Sequence, residues 1–152
     1  MTAIPFCKFH GFGNDYIVIE KASIPTEVDL PAFAKAICHR HTGAGADGIA
    51  VINPLDAEDA DFFCEIVNPD GSIAGFSGNG TRCAVSYIYF KNLWSEPGLK
   101  LGTRSGIKNY RLIDEITPGH YWFEAAIGQP KFKASDIPFA SAEQRDDVLH
   151  QP

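Results

Sequence analysis

A glycine-rich turn at residues 77–83, which leads directly into an apolar run at residues 84–90, constrains this chain most. Gly78-Asn79-Gly80 has the composition of a tight turn. The run behind it is apolar on nearly every side, which predicts a buried helix. The first turn of such a helix has backbone N–H groups without helical partners and the positive end of the dipole, so it suits a carboxylate. Ser77 lies at this helix start, where it can act as a nucleophile or base, or simply cap the helix.

Composition excludes several classes of function. The chain has 152 residues, the length of one ordinary domain, and a formal net charge of −6. It has no cluster of lysines and arginines, so we expect no nucleic-acid partner. Its apolar runs are shorter than the about 18 residues that a membrane span needs. Residues 1–5 lack the charged and apolar regions of a signal peptide, so we expect a cytoplasmic protein without a membrane partner.

The cysteines are far apart in the sequence. None forms a C-x-x-C pair, so we predict no metal site. All lie in apolar surroundings, which predicts buried free thiols in a reducing compartment. The cysteines are Cys7, Cys38, Cys64 and Cys83.

Hydrophobic patterns predict an α+β fold: a mixed, mostly antiparallel sheet of about eight short strands, wrapped around a central buried helix. A first helix is predicted from Pro31 to near His41, with Asp29 as its cap and Gly43 as its stop. The predicted strands are 4–9, 16–19, 49–52, 62–67, 99–103, 108–113 and 121–127.

Residues 43–48 match the G-x-G-x-x-G pattern of dinucleotide-binding proteins. That motif needs a strand before it and a helix after it. Here a predicted helix comes before and a predicted strand comes after, so we do not interpret the pattern as a cofactor site.

Three asparagines occur in turns, where they either satisfy turn geometry or line a polar pocket. In the second interpretation, Asn14, Asn68 and Asn79 bind the ammonium and carboxylate groups of an amino acid. The segment around Ser77 does not match the serine-hydrolase pattern G-x-S-x-G, because Asn79 replaces its last glycine. No histidine spacing indicates a Ser-His-Asp triad.

Five ordered blocks of the sequence resemble the diaminopimelate epimerase family, whose members act without a cofactor. They include the K-x-H-G-x-G-N-D core of the first block and the G-N-G-x-R-C of the fourth. The blocks are residues 6–16, 40–48, 68–72, 78–83, and 128–130 together with 137–139.

The resemblance implies a fold of two pseudo-symmetric halves, each around a central helix, with the active site in the cleft between them. One cysteine from each half acts as base or acid on opposite faces of the α-carbon, and converts LL-diaminopimelate to the meso form for lysine and peptidoglycan synthesis. It implies neither pyridoxal phosphate nor a metal. Applied to this chain, it predicts an N-terminal domain at residues 1–118 and the start of a second at 119–152.

The resemblance also assigns site residues. Asn14, Asn68, Gly78 and Asn79 would contact a small amino-acid substrate, and Ser77 occupies the position of one catalytic cysteine. Cysteine suits this reaction because a helix N-terminus lowers the pKa of a thiol from about 8.5, and the thiolate is a good base. A serine hydroxyl is a far poorer base.

The chain departs from the family in its serine and in its length. Because the matching blocks cover only the first half of the family, we expect no epimerase activity from this chain alone. The serine leaves several interpretations open: a deliberate removal of the base, an epimerase in which Ser77 relays a proton, a non-catalytic paralogue, or the chemistry of the related proline racemases and hydroxyproline dehydratases. The sequence does not decide the oligomeric state, for which a homodimer is one option.

Overall fold

The computed structural model describes residues 3–137 as a mixed eight-stranded sheet with two α-helices. The predicted α+β class is confirmed. Residues 138 and 139 of the fifth sequence block lie outside the described residues. The strands are β1 Cys7–Gly11, β2 Asn14–Glu20, β3 Gly48–Pro54, β4 Phe62–Val67, β5 Ile73–Ala74, β6 Gly98–Thr103, β7 Gly106–Thr117 and β8 His120–Ala126. The helices are α1 Leu30–Cys38 and α2 Gly78–Phe90, with 3₁₀ turns at Lys21–Ser23 and Ala134–Asp136.

The strand order in the sheet is β1-β2-β3-β4-β6-β7-β8, and β5 pairs with β4 beside this path. Neighbouring strands are antiparallel except for two parallel pairs, β2 with β3 and β4 with β6. Parallel neighbours need a crossover connection, commonly a helix. In this chain α1 connects the first parallel pair, and α2 lies in the connection of the second.

The middle of the sheet is buried on both faces, because the two helices lie on opposite sides of it. Along β2, Ile17 and Ile19 belong to the core that includes α1, whereas Tyr16 and Val18 belong to the core that includes α2. The alternation of side chains along a strand sends successive residues to opposite faces. This explains why β2 and β3 are almost continuously apolar, as strands covered on both faces are.

The helix α2 buries eight of its thirteen residues and contacts β1, β2, β3, β4 and β8. One buried residue is polar: Thr81 has no exposed surface. Its hydroxyl donates to the carbonyl oxygen of Ser77 at 2.7 Å and lies 2.6 Å from the hydroxyl of Tyr110 in β7. The polar atoms in this part of the core are therefore hydrogen-bonded, as buried polar groups must be. None of the helices within residues 3–137 is long and apolar enough to cross a membrane.

The first hairpin is tighter than the sequence predicts. Strand β1 runs to Gly11, which pairs with Asn14, so the loop contains only Phe12 and Gly13. Their φ angles are 56° and 85°, the left-handed conformations of a type I′ turn. The sequence predicts a loop at residues 10–15, between strands at 4–9 and 16–19; the structure extends both strands into it, although phenylalanine is rare in this conformation, which favours glycine and asparagine.

The helix α1 ends at Cys38, earlier than predicted, because the chain turns back onto its last carbonyl groups. The N–H groups of Gly43 and Gly45 donate to the carbonyls of His39 at 2.8 Å and Ile37 at 3.0 Å. The segment 43–48 follows α1 and leads into β3. The predicted order of a helix before this segment and a strand after it is confirmed.

Candidate functional site

Ser77 caps α2. Its backbone is extended, with φ −138° and ψ 120°, and its hydroxyl oxygen accepts a hydrogen bond from the N–H of Gly80 at 3.1 Å. The same oxygen lies 2.9 Å from the hydroxyl of Tyr16 in β2. The capping role proposed from the sequence is confirmed, and the cap has a second partner from the sheet.

The start of α2 has two adjacent hydrogen-bond donors to offer. The N–H of Gly80 is used by the Ser77 side chain, and the N–H of Thr81 donates to the Ser77 carbonyl at 2.9 Å. Within residues 3–137, the N–H groups of Gly78 and Asn79 donate to no protein acceptor. Together with the positive end of a thirteen-residue helix, two free N–H groups form a site suited to an anion.

Tyr16 reaches Ser77 because two glycines leave space for its ring. A Cβ atom on Gly48 would lie 2.6 Å from Cε1 of Tyr16, and one on Gly80 would lie 2.9 Å from the same atom. Burial raises the pKa of the Tyr16 hydroxyl, so it stays protonated at neutral pH. Sequence reasoning treated Tyr16 only as a strand residue; the glycines in the second and fourth sequence blocks were the available signal.

Two of the predicted substrate-binding asparagines form one hydrogen-bonded chain. The Nδ2 atom of Asn79 donates to Oδ1 of Asn14 at 3.1 Å, and Nδ2 of Asn14 donates to Oδ2 of Asp47 at 2.9 Å. At the other end, Arg82 donates to Oδ1 of Asn79. The structure therefore brings Asn14, Gly78 and Asn79 together beside Ser77.

Asp47 belongs to an ion-pair network that joins the first hairpin to the loop before β3. Arg40 contacts Asp15 at 2.8 Å and Asp47 at 2.6 Å, and Lys8 contacts Asp15 at 2.8 Å. The guanidinium of Arg40, together with Lys8, holds the pKa of the Asp15 carboxyl well below its usual range. Asp47 also accepts from the N–H of Asp15 at 3.0 Å. These contacts fix the hairpin that carries Asn14.

Asn68 lies in a separate turn after β4. Its side chain donates to the hydroxyl of Ser72 at 2.9 Å, and the N–H of Gly71 donates to its carbonyl at 2.9 Å. Within residues 3–137 it makes no hydrogen bond to Asn14 or Asn79. Its substrate contact stays a prediction.

None of the cysteines lies in the first turn of α2, and the thiol of Cys83, further along the helix, is protonated. Cys38, Cys64 and Cys83 are buried, whereas Cys7 is only half-buried, so the expectation of burial is wrong for Cys7. Cys83 lies within α2, and burial raises the pKa of its thiol to about 12. A thiol with that pKa is protonated at neutral pH and cannot act as a base.

A groove of about 790 Å³ lies between the first hairpin and β8. Its lining includes Phe12, Trp122, Arg82 and Cys83. Phe12 is 90% exposed, and the guanidinium of Arg82 lies 5.8 Å from the centre of its ring. Arg82 thus connects this groove to Asn79, whereas Ser77 is not part of the groove wall.

Comparison with known proteins identifies one family. The family model described as diaminopimelate epimerase matches residues 6–130. A diaminopimelate epimerase from Moorella thermoacetica is 40% identical over 148 residues, which cover 97% of this chain and 51% of that protein. One from Halothermothrix orenii is 33% identical over 149 residues, 98% of this chain and 52% of that protein. The chain therefore spans about half the length of the curated relatives it matches.

Solved structures with low sequence identity share the fold. A methylitaconate-delta-isomerase superposes with a TM-score of 0.62 at 16% identity, covering 78% of this chain and 36% of that protein. A predicted epimerase from Pseudomonas aeruginosa gives 0.61 at 18% identity, covering 80% and 40%. At this level of identity the likeness supports the fold alone.

Proposed function

Because the chain belongs to the diaminopimelate epimerase family, we propose that the start of α2 binds the carboxylate of a diaminopimelate-like amino acid in one half of an epimerase site. In this proposal Ser77 occupies the position of one of two acid–base residues. The second half of the protein, with its own central helix and the second acid–base residue, faces this one across a cleft. The boundary at residue 119 stays a prediction from the resemblance, since β8 pairs with β7 in the sheet described here and contacts α2.

The pair of free N–H groups on Gly78 and Asn79 supports the proposal most strongly. Removal of a proton from the α-carbon of an amino acid moves negative charge onto its carboxylate. Fixed N–H donors and the positive end of a helix stabilise charge that develops there. The amide groups of Asn14 and Asn79 add polar contacts on one side of these donors.

The surroundings of Ser77 support a role in binding and structure more than in proton removal. Its hydroxyl contacts the N–H of Gly80 and the hydroxyl of Tyr16, and neither group is a base. Activation of a serine needs an adjacent general base. We therefore propose that this chain binds the amino acid and does not remove its α-proton.

An exchange experiment in D₂O tests this function. The chain is incubated with LL-diaminopimelate, and the α-proton signal and the meso product are followed by NMR. We expect saturable binding, no loss of the α-proton signal and no meso product. Exchange of that proton by the unmodified chain would contradict the assigned role of Ser77.

Two further arms separate the other interpretations. Exchange with trans-4-hydroxy-L-proline but not with diaminopimelate would favour a proline racemase-like or dehydratase-like enzyme. A Ser77→Cys variant places a thiol at the start of α2, where the helix dipole lowers its pKa. We expect this variant to replace the α-proton by deuterium with retention, because the thiol formed by proton removal exchanges its hydrogen with D₂O and delivers deuterium to the same face. A folded Ser77→Cys variant that neither binds nor exchanges would favour a non-catalytic paralogue.

A further inference from the structure

Asn14 in the first hairpin and Asn79 in the first turn of α2 belong to a chain of hydrogen bonds with a defined direction. It runs from Arg82 to Asn79, then to Asn14, and ends at Asp47. An amide can donate through nitrogen or accept through oxygen, so two amides alone could point either way. The two ends remove that ambiguity, because a guanidinium can only donate and a carboxylate can only accept.

The direction decides what the two amides offer to a ligand. Each amide nitrogen has two hydrogens, and the chain uses one of them on Asn14 and one on Asn79. Within the described part of the protein, the second hydrogen of each amide has no acceptor. The opposite direction would exchange the positions of nitrogen and oxygen, so that an amide oxygen would stand where each of these donors now is. Donors attract a carboxylate, whereas oxygens attract an ammonium group.

From this geometry we infer that Asp47 is a positioning residue that holds Asn14, and through it supports the orientation that Arg82 gives Asn79, so that both amides present N–H donors to an anionic ligand. The inference rests on the proposed function and names the residue that sets its preference for a carboxylate. Asp47 acts through Asn14 and touches no reacting atom.

Asp47 is itself held in place from several sides. Its Oδ1 atom contacts Arg40 at 2.6 Å, and its Oδ2 atom accepts from the N–H of Asp15 at 3.0 Å as well as from Asn14. Its own N–H donates to the carbonyl of Asp15 at 2.8 Å. A carboxylate bound at both oxygens cannot rotate away from Asn14. The asparagine pair is therefore coupled to the ion-pair network rather than free to follow the ligand.

Close approach of the first hairpin to α2 makes the chain possible. A Cβ atom on Gly11 would lie 3.2 Å from Oδ1 of Asn79 and 3.7 Å from Nε of Arg82. The glycine lets the hairpin lie against the first turn of α2. It thereby brings Asn14 within hydrogen-bonding distance of Asn79.

An isosteric pair of variants tests the role of Asp47. Asp47→Asn keeps the shape but removes the charge and lets residue 47 donate as well as accept, so the amide of Asn14 is no longer held in one orientation. Glu65→Gln is the matched control, since Glu65 also pairs with an exposed arginine, Arg104, at 2.9 Å and the substitution removes the same charge. Binding of LL-diaminopimelate is measured by calorimetry. We expect Asp47→Asn to weaken binding by about tenfold, the size of one hydrogen bond to a charged group, and Glu65→Gln to leave it unchanged.

The direction of the chain is measured separately. Scalar coupling across the hydrogen bond from Nδ2 of Asn14 to the carboxylate carbon of Asp47 should be present in the unmodified protein and lost in Asp47→Asn. A purely structural role would leave the side-chain amide signals of Asn79 unchanged in the variant, whereas a positioning role shifts them. Absence of the coupling in the unmodified protein, or equal affinity of both variants for the ligand, would overturn the inference.

Acetate separates this inference from the proposed substrate. If the unmodified chain fails to bind LL-diaminopimelate, the proposed function fails. Acetate that still shifts the side-chain amide signals of Asn14 and Asn79, and does so more weakly in Asp47→Asn, would then support the positioning role alone. If neither compound shifts those signals, the positioning role is overturned as well.

Discussion

The two α-helices begin in similar ways but offer different surfaces. In α1, Asp29 accepts from the N–H of Ala32 at 3.3 Å, and in α2, Ser77 accepts from the N–H of Gly80 at 3.1 Å. Within residues 3–137, the first turn of α1 leaves only the N–H of Leu30 without a protein acceptor, because Pro31 has no N–H, whereas the first turn of α2 leaves those of Gly78 and Asn79. In the proposed function, the pair of adjacent donors left over after capping binds the ligand, and the cap does not.

The surroundings of the two caps also differ. The Asp29 contact is exposed. Ser77 is half-buried and contacts Tyr16, which is 5% exposed, and Asn79 in the first turn contacts Asn14. The start of α1 is therefore a surface feature that stabilises one helix, whereas the start of α2 is tied to the sheet.

The packing of α2 against the sheet predicts the largest effect. A Cβ atom on Gly80 would lie 2.8 Å from Cδ1 of Ile66 and 2.9 Å from Cε1 of Tyr16, whereas one on Gly78 would have Nη1 of Arg82 at 3.8 Å as its nearest atom. Gly80→Ala should lower the free energy of unfolding by about 2–3 kcal/mol, the cost of overpacking a core. Gly78→Ala should stay within about 1 kcal/mol of the unmodified protein, since alanine favours the helix.

Urea denaturation of both glycine variants measures this difference. Equal stability of Gly80→Ala and the unmodified protein would show that α2 does not lie as close to β2 and β4 as described here.

Removal of each cap predicts a smaller, unequal effect. Asp29→Ala should cost about 0.5–1 kcal/mol of stability, the ordinary value of an exposed cap. Ser77→Ala should cost about 1–2 kcal/mol, because it also takes away the hydrogen-bond partner of the buried Tyr16. The double variant Ser77→Ala, Tyr16→Phe should recover part of the stability lost in Ser77→Ala, because it removes the unpaired hydroxyl as well. Purely additive effects of the two substitutions in a double-mutant cycle would contradict the Tyr16 contact.

The ion pairs beneath Asn14 predict the smallest effect, and it depends on pH. Arg40 and Lys8 lower the pKa of Asp15 in the folded protein. The ionised form of Asp15 therefore stabilises the fold at pH values above about 4, the pKa of an aspartate in the unfolded chain. This contribution is lost as the pH falls below that value. Asp15→Asn should therefore reduce the stability measured at pH 7 and flatten its decrease between pH 4 and 2. Parallel curves of stability against pH for the two proteins would contradict the assignment.

Local features of the fold could be predicted from the sequence, because they depend on neighbouring residues. The caps at Asp29 and Ser77 and the turn at residues 68–72 follow from residue types that act within one turn. The two-residue strand β5 was missed, because it is too short to form a pattern. The type I′ turn at Phe12 was missed because its conformation is set by the pairing of β1 with β2.

The candidate site could be predicted only in part. Ser77, Gly78 and Asn79 are adjacent in the chain, and the resemblance to the family identified them together with Asn14. The contacts that orient them join residues far apart in sequence: Tyr16 and Ser77 are separated by 61 positions, and Asn14 and Asn79 by 65. No periodicity or local propensity reports such contacts. Asp47 was missed for the same reason, since its partner Asn14 is 33 positions away.

Backbone amide signals of the two helix starts test the central claim most directly. Two-dimensional ¹⁵N–¹H NMR spectra are recorded while LL-diaminopimelate is added to the chain. The account predicts saturable shifts of the N–H signals of Gly78 and Asn79, while Leu30 and Ala32 at the start of α1 stay unchanged. Absence of shifts at Gly78 and Asn79, or equal shifts at both helix starts, would contradict it.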